Sequence, residues 1–317
     1  MACTTRRSFI KHATFTGAAF ALSGRRISAE ATPAAGLPYT AREIAARLGI
    51  SMAVYQKERL GARHIAYIRA AGISRIELLM MPPMFNLHDR AQISEVLREC
   101  RRQKVTVVSV HGNMQRKYND PDDEKRRIAS AHLLDEIRFA EEAGAGILVA
   151  HFGTNDQSRK TVTELLDQTK DLRIRLTVEN MRGSLKPYAA FVDKIGSNRF
   201  GMTVDIGHIR DADGVNPLVK HGRAGEVFAQ GGRRVWHVHL HDTFDLKTKP
   251  DHRPPMHPEG IIEWGEVFAA LKVNKYRGVF LFEDGRGEEP KEWIQLAASF
   301  PKNFVMPAFS IVGNAQA

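Results

Sequence analysis

The sequence predicts an α/β protein built as a single-domain (β/α)8 barrel, and three observations predict it. Short apolar, β-branched runs recur eight times between residues 49 and 282. Helical patterns fill the intervals between them. From the third run onward, each run leads into a His, Asp or Glu. The length agrees, because the eight units occupy about 260 residues and a barrel of this kind takes about 250.

In chain order the strands are expected at residues 49–54, 75–79, 105–110, 146–150, 174–178, 200–204, 235–240 and 278–282. The third reads Val-Thr-Val-Val-Ser-Val and the fourth contains Ile-Leu-Val-Ala. Such unbroken apolar strands are buried on both faces, as in a parallel sheet covered by helices. After the second strand, Ile93, Val96, Leu97 and Cys100 recur at helical spacing, and after the third so do Ile128, Leu134 and Ile137. Gly72, Gly144, Gly196 and Gly278 stand just ahead of strands, where a helix C-cap takes a positive φ. Asn119, Asp120 and Pro121 mark a helix start. The alternative is a doubly wound open sheet, but no Gly-rich phosphate loop follows the first strand.

Ahead of the barrel, Thr5-Arg6-Arg7-Ser8-Phe9-Ile10-Lys11 precedes a mildly apolar stretch to Leu22 and a small-x-small site, Ala29-Glu30-Ala31. This resembles a twin-arginine export signal. Residues 1–31 are expected to be the signal peptide and 32–317 the barrel. The partner implied is the twin-arginine export machinery, and the compartment is periplasmic or extracellular. The apolar run is roughly ten residues, too short to span a hydrocarbon core of about 30 Å, so no stable membrane anchor is expected.

Composition is that of a globular chain, with 43% hydrophobic and 26% charged residues among 317. Half of the formal charge of +10 comes from Arg6, Arg7, Lys11, Arg25 and Arg26 in the leader. The remainder shows no basic run with interleaved aromatics, so no nucleic-acid partner is expected. Cys3 falls in the leader, leaving Cys100 as the single thiol of the mature chain and no intrachain disulfide.

Catalytic groups in such barrels gather at the C-terminal ends of the strands. There the third strand meets His111, the fourth His151, the fifth Glu179-Asn180 and the sixth Asp205 with His208. The seventh ends in His239-Leu-His241-Asp242 and the eighth in Glu283-Asp284. So many ionisable groups around one axis carry a large desolvation and like-charge penalty, which a bound cation relieves. A carboxylate and imidazole set suits Mn²⁺, Co²⁺, Mg²⁺ or Zn²⁺, and its oxygen-rich character favours Mn²⁺.

Five segments, in order, resemble the xylose-isomerase-like sugar (phosphate) isomerase/epimerase family of TIM barrels, which also contains the endonuclease IV type of repair enzyme. They are Val178-Glu179-Asn180, Asp205-Ile-Gly-His208, His239-Leu-His-Asp242, His257-Pro-Glu-Gly-Ile-Ile-Glu-Trp264 and Leu281-Phe-Glu283. The resemblance implies one divalent metal on Glu179, Asp205, His239 and Glu283, with Glu179 and Glu283 also acting as the catalytic pair. It implies proton abstraction beside a carbonyl through a metal-stabilised enediolate, and a carbohydrate substrate. His111, His151, His208 and Trp264 are then candidates for binding substrate, and Phe152 for stacking on a sugar ring. His12, His64, His88, His132 and His221 are expected at surface or helix positions.

Two departures bear on the substrate. Ketohexose epimerases of the family carry an acidic residue where this chain has Leu185 and a basic one where it has Asp245. The repair enzymes carry an Asp-x-His pair whose nearest match here is Asp251-His252, without the spacer. The expected function is a sugar isomerase or epimerase acting on a non-phosphorylated sugar. The alternatives are a lyase that eliminates the aglycone from 3-keto-glycosides and a non-catalytic, metal-dependent sugar-binding barrel. The segment 243–263 is expected to loop over the barrel mouth and set specificity. The sequence leaves the oligomeric state open.

Overall fold

The eight predicted strands close into one parallel barrel in the computed structural model, which describes residues 39–243, 255, 259–283 and 290–303. They are β1 (Leu48–Ser51), β2 (Arg75–Leu79), β3 (Thr106–His111), β4 (Ile147–Ala150), β5 (Arg175–Glu179), β6 (Phe200–Asp205), β7 (Val235–Leu240) and β8 (Phe280–Phe282). Each pairs with the next, and β8 returns to β1 with Phe280 opposite Leu48. The TIM-barrel expectation holds.

Around the strands run α1 (Ala41–Arg47), α2 (Ala62–Ala70), α3 (Arg90–Gln103), α4 (Asp123–Glu142), α5 (Asp156–Gln168), α6 (Lys186–Ile195), α7 (Ala224–Gly231), α8 (Trp264–Val273) and α9 (Pro290–Asn303). Their ends follow local chemistry. Asp122 caps α4 by accepting from the amides of Glu124 and Lys125, with Pro121 just upstream, and Asn155 caps α5 through the Ser158 amide. Gly72, Gly144 and Gly196 take the expected positive φ. Gly278 does not. The left-handed residue after α8 is Lys275, φ 57°, and Gly278 is needed because a Cβ there would strike the Trp236 carbonyl and the Tyr276 ring.

Strand ends depart from expectation in one informative way. His111, Glu179 and Asp205 are the last residues of β3, β5 and β6, where the sequence had placed them just beyond. The ladder therefore fixes their direction. The first strand is shorter than expected, because the Ser51 hydroxyl accepts from the Ala53 amide and turns the chain into a 3-10 helix, Met52–Tyr55. Ile128 does not join the core stripe of α4. It is 53% exposed, and Ala129, Leu133, Ile137 and Ala140 are the residues that pack inward.

The apolar core lies between barrel and helices, with Phe268 and Phe300 edge-on to Phe280 and Phe282 respectively. Cys100 is buried in α3, and burial pushes its thiol up to about 12, outside the range of a reactive cysteine. The leader, Asp284 and most of 243–263 lie outside the described residues, as does the boundary at residue 31. No described helix is long and apolar enough to cross a membrane.

Candidate metal centre

Side chains two apart on a strand face the same way, so His237, His239 and His241 of the β7 region all turn into the barrel. The β6–β7 register sets Asp205 opposite His239, and the Glu283 amide donates to the Leu240 carbonyl at 3.1 Å, extending the β7–β8 ladder by one residue. Asn180 ties β5 to β6 as well. Its Oδ1 accepts from the Asp205 amide and its Nδ2 donates to the Asp205 carbonyl, each at 2.9 Å.

These constraints bring one donor atom each of Glu179, Asp205, His239 and Glu283 within 4.8 Å of one another, all four residues buried. His239 Nδ1 lies 3.4 Å from Glu179 Oε1 and 3.1 Å from Glu283 Oε2. Asp205 divides its work. Oδ1 accepts from the amides of Gly207 and His208 and lies 2.7 Å from His241 Nε2, while buried Oδ2 has no hydrogen bond. His239 Nδ1 is also buried without one. Unsatisfied buried polar atoms are costly. Contacts of this length are what donors about 2.0–2.2 Å from a small dication make with each other, so the four predicted ligands fit such an ion.

Two histidine groups flank the four. His111 Nε2 and His151 Nε2 lie 3.0 and 3.2 Å from Glu179 Oε2, the oxygen turned away from His239. His111 Nδ1 is 2.9 Å from the Gly112 carbonyl, to which it must donate. On the other side His208 Nδ1 lies 3.1 Å from Asp205 Oδ2 and 3.2 Å from the Asn180 carbonyl. Gly207 is required here, because any Cβ would land on the His241 imidazole.

Charges follow from this packing. Burial by itself raises the Glu179 carboxyl, but the charges of His239 and His151 and the bonds to His111 and His151 hold it well below the usual carboxylate range. Asp205 behaves likewise under His208 and His241. Burial opposes charging of the histidines, yet the Glu179 carboxylate pushes His111 up to about 9 and Asp205 does the same for His241. Glu283, Glu77 and Glu179 lift His239 well above its ordinary value against the burial effect. Carboxylates and imidazoles here favour each other's charged forms, and a dication would compete with protons for the same atoms.

Three other predicted residues are placed elsewhere. Trp264 is not at the site. Its ring packs against Phe268 and Phe300 and its Nε1 donates to Asp242 Oδ2 at 2.7 Å, so it belongs to the core and to the anchoring of the loop before α8. Phe152 is fully buried between Tyr118 and Phe200 and has no face for a sugar. Asp242 is committed through Oδ1 to the amides of Thr243, Ile261 and Ile262. Leu185 is buried ahead of α6, and Asp245, Asp251 and His252 lie outside the described residues. His64 sits on a helix as expected but is buried, accepting from the Gly61 amide through Nδ1.

The reading of strand ends missed Glu77 and His237, which lie one layer deeper. Glu77 Oε2 is 3.3 Å from both His237 Nε2 and His239 Nε2. The available signals were a Glu inside the apolar run Arg75-Ile-Glu-Leu-Leu79 and histidines at every second residue from His237 to His241.

A family profile described as xylose isomerase-like TIM barrel matches residues 65–303. No curated protein sequence matches the chain. Among solved structures it is similar to a D-psicose 3-epimerase from Clostridium cellulolyticum H10, with a TM-score of 0.65, 16% identity, and 80% of this chain and 97% of that one covered. A D-tagatose 3-epimerase-like protein gives 0.64 at 21% identity, covering 81% and 98%. A 3-keto-D-glucoside 4-epimerase from E. coli gives 0.60 at 14%, covering 81% and 98%. At these identities the structural likeness is one of fold.

Proposed function

The chain belongs to the xylose isomerase-like TIM barrel family, and on that premise we propose that it is a divalent-metal-dependent sugar isomerase or epimerase that moves a proton at a carbon beside a carbonyl. One observation carries the reading: four buried donors, Glu179, Asp205, His239 and Glu283, converge, and Asp205 Oδ2 and His239 Nδ1 are left without hydrogen bonds. These four residues would hold a divalent ion, Mn²⁺ in preference, which would supply Lewis-acid polarisation of a carbonyl.

The remaining steps belong to side chains. Glu179 on β5 and Glu283 after β8 enter the site from strands separated by β6 and β7, so they reach a bound sugar from different directions. One carboxylate takes the proton and the other returns it to the opposite face, which inverts the carbon. Glu179 is held in the ionised form a base requires by the histidines around it. His111, His151 and His208 surround the Glu179 carboxylate and orient it, and His151 and His208 keep a little exposure.

We place the enzyme outside the cytoplasm on the strength of Thr5-Arg6-Arg7-Ser8-Phe9-Ile10-Lys11. That compartment supports a non-phosphorylated keto-sugar or an oxidised glycoside as substrate. The similarity to a 3-keto-D-glucoside 4-epimerase puts 3-keto-glycosides among the first compounds to assay.

The test is elemental analysis of the folded protein beside a Glu179→Gln, Glu283→Gln double variant, with deuterium uptake from D₂O into candidate keto-sugars. About one metal per chain, with exchange lost in the variant, supports the reading. A wild type that shows neither metal nor exchange after divalent ions are restored overturns it. Release of a second product during exchange would assign elimination instead of epimerisation.

A further inference from the structure

Below the four converging donors lies a polar layer that the proton transfer does not use. Glu77 on β2 stands in register with Ser109 on β3, and Thr203 on β6 with His237 on β7. All four are buried. Glu77 Oε2 accepts from the Ser109 hydroxyl at 2.8 Å and faces His237 Nε2 and His239 Nε2, each at 3.3 Å. Its Oε1 has no hydrogen bond. Barrel interiors are ordinarily filled with branched apolar side chains, and a carboxylate in their place is costly unless something needs it.

His239 is what needs it. Its Nδ1 lies among Glu179 and Glu283, and its Nε2 points down at Glu77. A neutral imidazole carries one N–H and one bare lone pair, and an ionised carboxylate has only lone pairs to offer. With Glu77 against Nε2, the proton must stay on Nε2, which leaves the Nδ1 lone pair for an ion. We propose that Glu77 is a positioning residue of the metal centre, holding the Nε2 proton of His239 so that Nδ1 faces the ion. Ser109 and His237 brace Glu77, the hydroxyl donating to Oε2 and His237 Nε2 lying 3.3 Å from both the Glu77 carboxylate and the Ser109 hydroxyl. Outer partners of this type raise ligand basicity and fix ring orientation.

The inference rests on the site holding an ion, so the experiment separates the two. Wild type, Glu77→Gln and Ser109→Ala are stripped of metal and titrated with Co²⁺ under chelator competition. Visible spectra and the thermal midpoints of the metal-free proteins are recorded alongside. Glu77→Gln is expected to bind Co²⁺ about 10- to 100-fold more weakly with an altered spectrum, at an unchanged or higher metal-free midpoint. Ser109→Ala, which keeps the carboxylate, should stay within about threefold of wild type. A Glu77→Gln protein with wild-type affinity and spectrum overturns the positioning role while leaving the metal centre standing. A wild type that binds no Co²⁺ removes both. Nitrogen-15 NMR of the Zn²⁺-loaded wild type is independent of any variant: a proton on Nε2 of His239 with Nδ1 bound supports the assignment, and the reverse arrangement overturns it.

Discussion

Asp205 concentrates two jobs in one carboxylate. Oδ1 closes the turn after β6 on the amides of Gly207 and His208, and Oδ2 is the spare acceptor. Asp205→Asn keeps an acceptor for the turn and replaces the spare one with an N–H. It should fold normally and lose metal affinity by about 100-fold or more, measured by calorimetric titration of the stripped protein; retention of tight binding would remove Asp205 from the ligand set. A second residue reads out pH. Glu136 on α4 is buried beneath the turn after β3 and accepts from the Asn113 amide at 3.2 Å. Burial, only partly opposed by that hydrogen bond and by Arg116, pushes its carboxyl up to about 7 from 4.5. A carboxyl raised on folding holds its proton more tightly in the native state, so it costs nothing below about pH 4.5. Its penalty grows as pH rises through 7, to on the order of 3 kcal/mol. Glu136→Gln should therefore stabilise the protein at pH 8 and leave it unchanged at pH 4, as followed by urea unfolding. Equal shifts at both pH values would contradict this.

At the scale of elements, the site depends on β5, β6 and β7 keeping one register. Asn180 enforces it by pairing both backbone groups of Asp205, neither of which reaches water. Asn180→Leu strands the buried Asp205 N–H and leaves its carbonyl only the long contact from the His208 amide, 3.4 Å, so a loss of about 1–3 kcal/mol in unfolding free energy is expected. Metal binding should weaken with it, because Glu179 and Asp205 lose their common reference. A variant as stable as wild type would show that the ladder alone sets the register. The loop that returns to α8 has its own anchor, since Asp242 gathers the Ile261 and Ile262 amides and the Trp264 indole. Trp264, which lies in a motif of the resemblance, is thereby tied to the loop and the core.

For the whole molecule, the barrel gives its site a closed ring of strands whose buried interior gathers carboxylates and imidazoles in contact with one another. A metal that binds only the folded chain adds stability by mass action, about 2.7 kcal/mol at a hundredfold excess over its dissociation constant. Removing it with a chelator should lower the melting temperature by about 5 °C, and calorimetry with and without added Mn²⁺ checks this. No change on chelation would mean that protons alone balance the buried carboxylates.

The barrel was legible in the sequence because its determinants are local and repetitive: unbroken apolar strands, helical stripes and glycine stops all act within a few residues. Strand ends were legible as the place to look for a site, since parallel strands present those ends on one face, but choosing Glu179, Asp205, His239 and Glu283 among the groups there came from the resemblance. What chain order could not carry was direction and depth. Glu77 lies mid-strand, and only the shear between neighbouring strands brings it under His239, 162 residues later. Trp264 and Phe152 had the right chemistry for a sugar, but the packing of α8 on Phe300 and of Phe152 on Phe200 turned them into the core. Which oxygen of Glu179 faces which histidine was likewise settled by closure of the barrel, because those partners come from β3, β4 and β7 and meet only when the last strand pairs with the first.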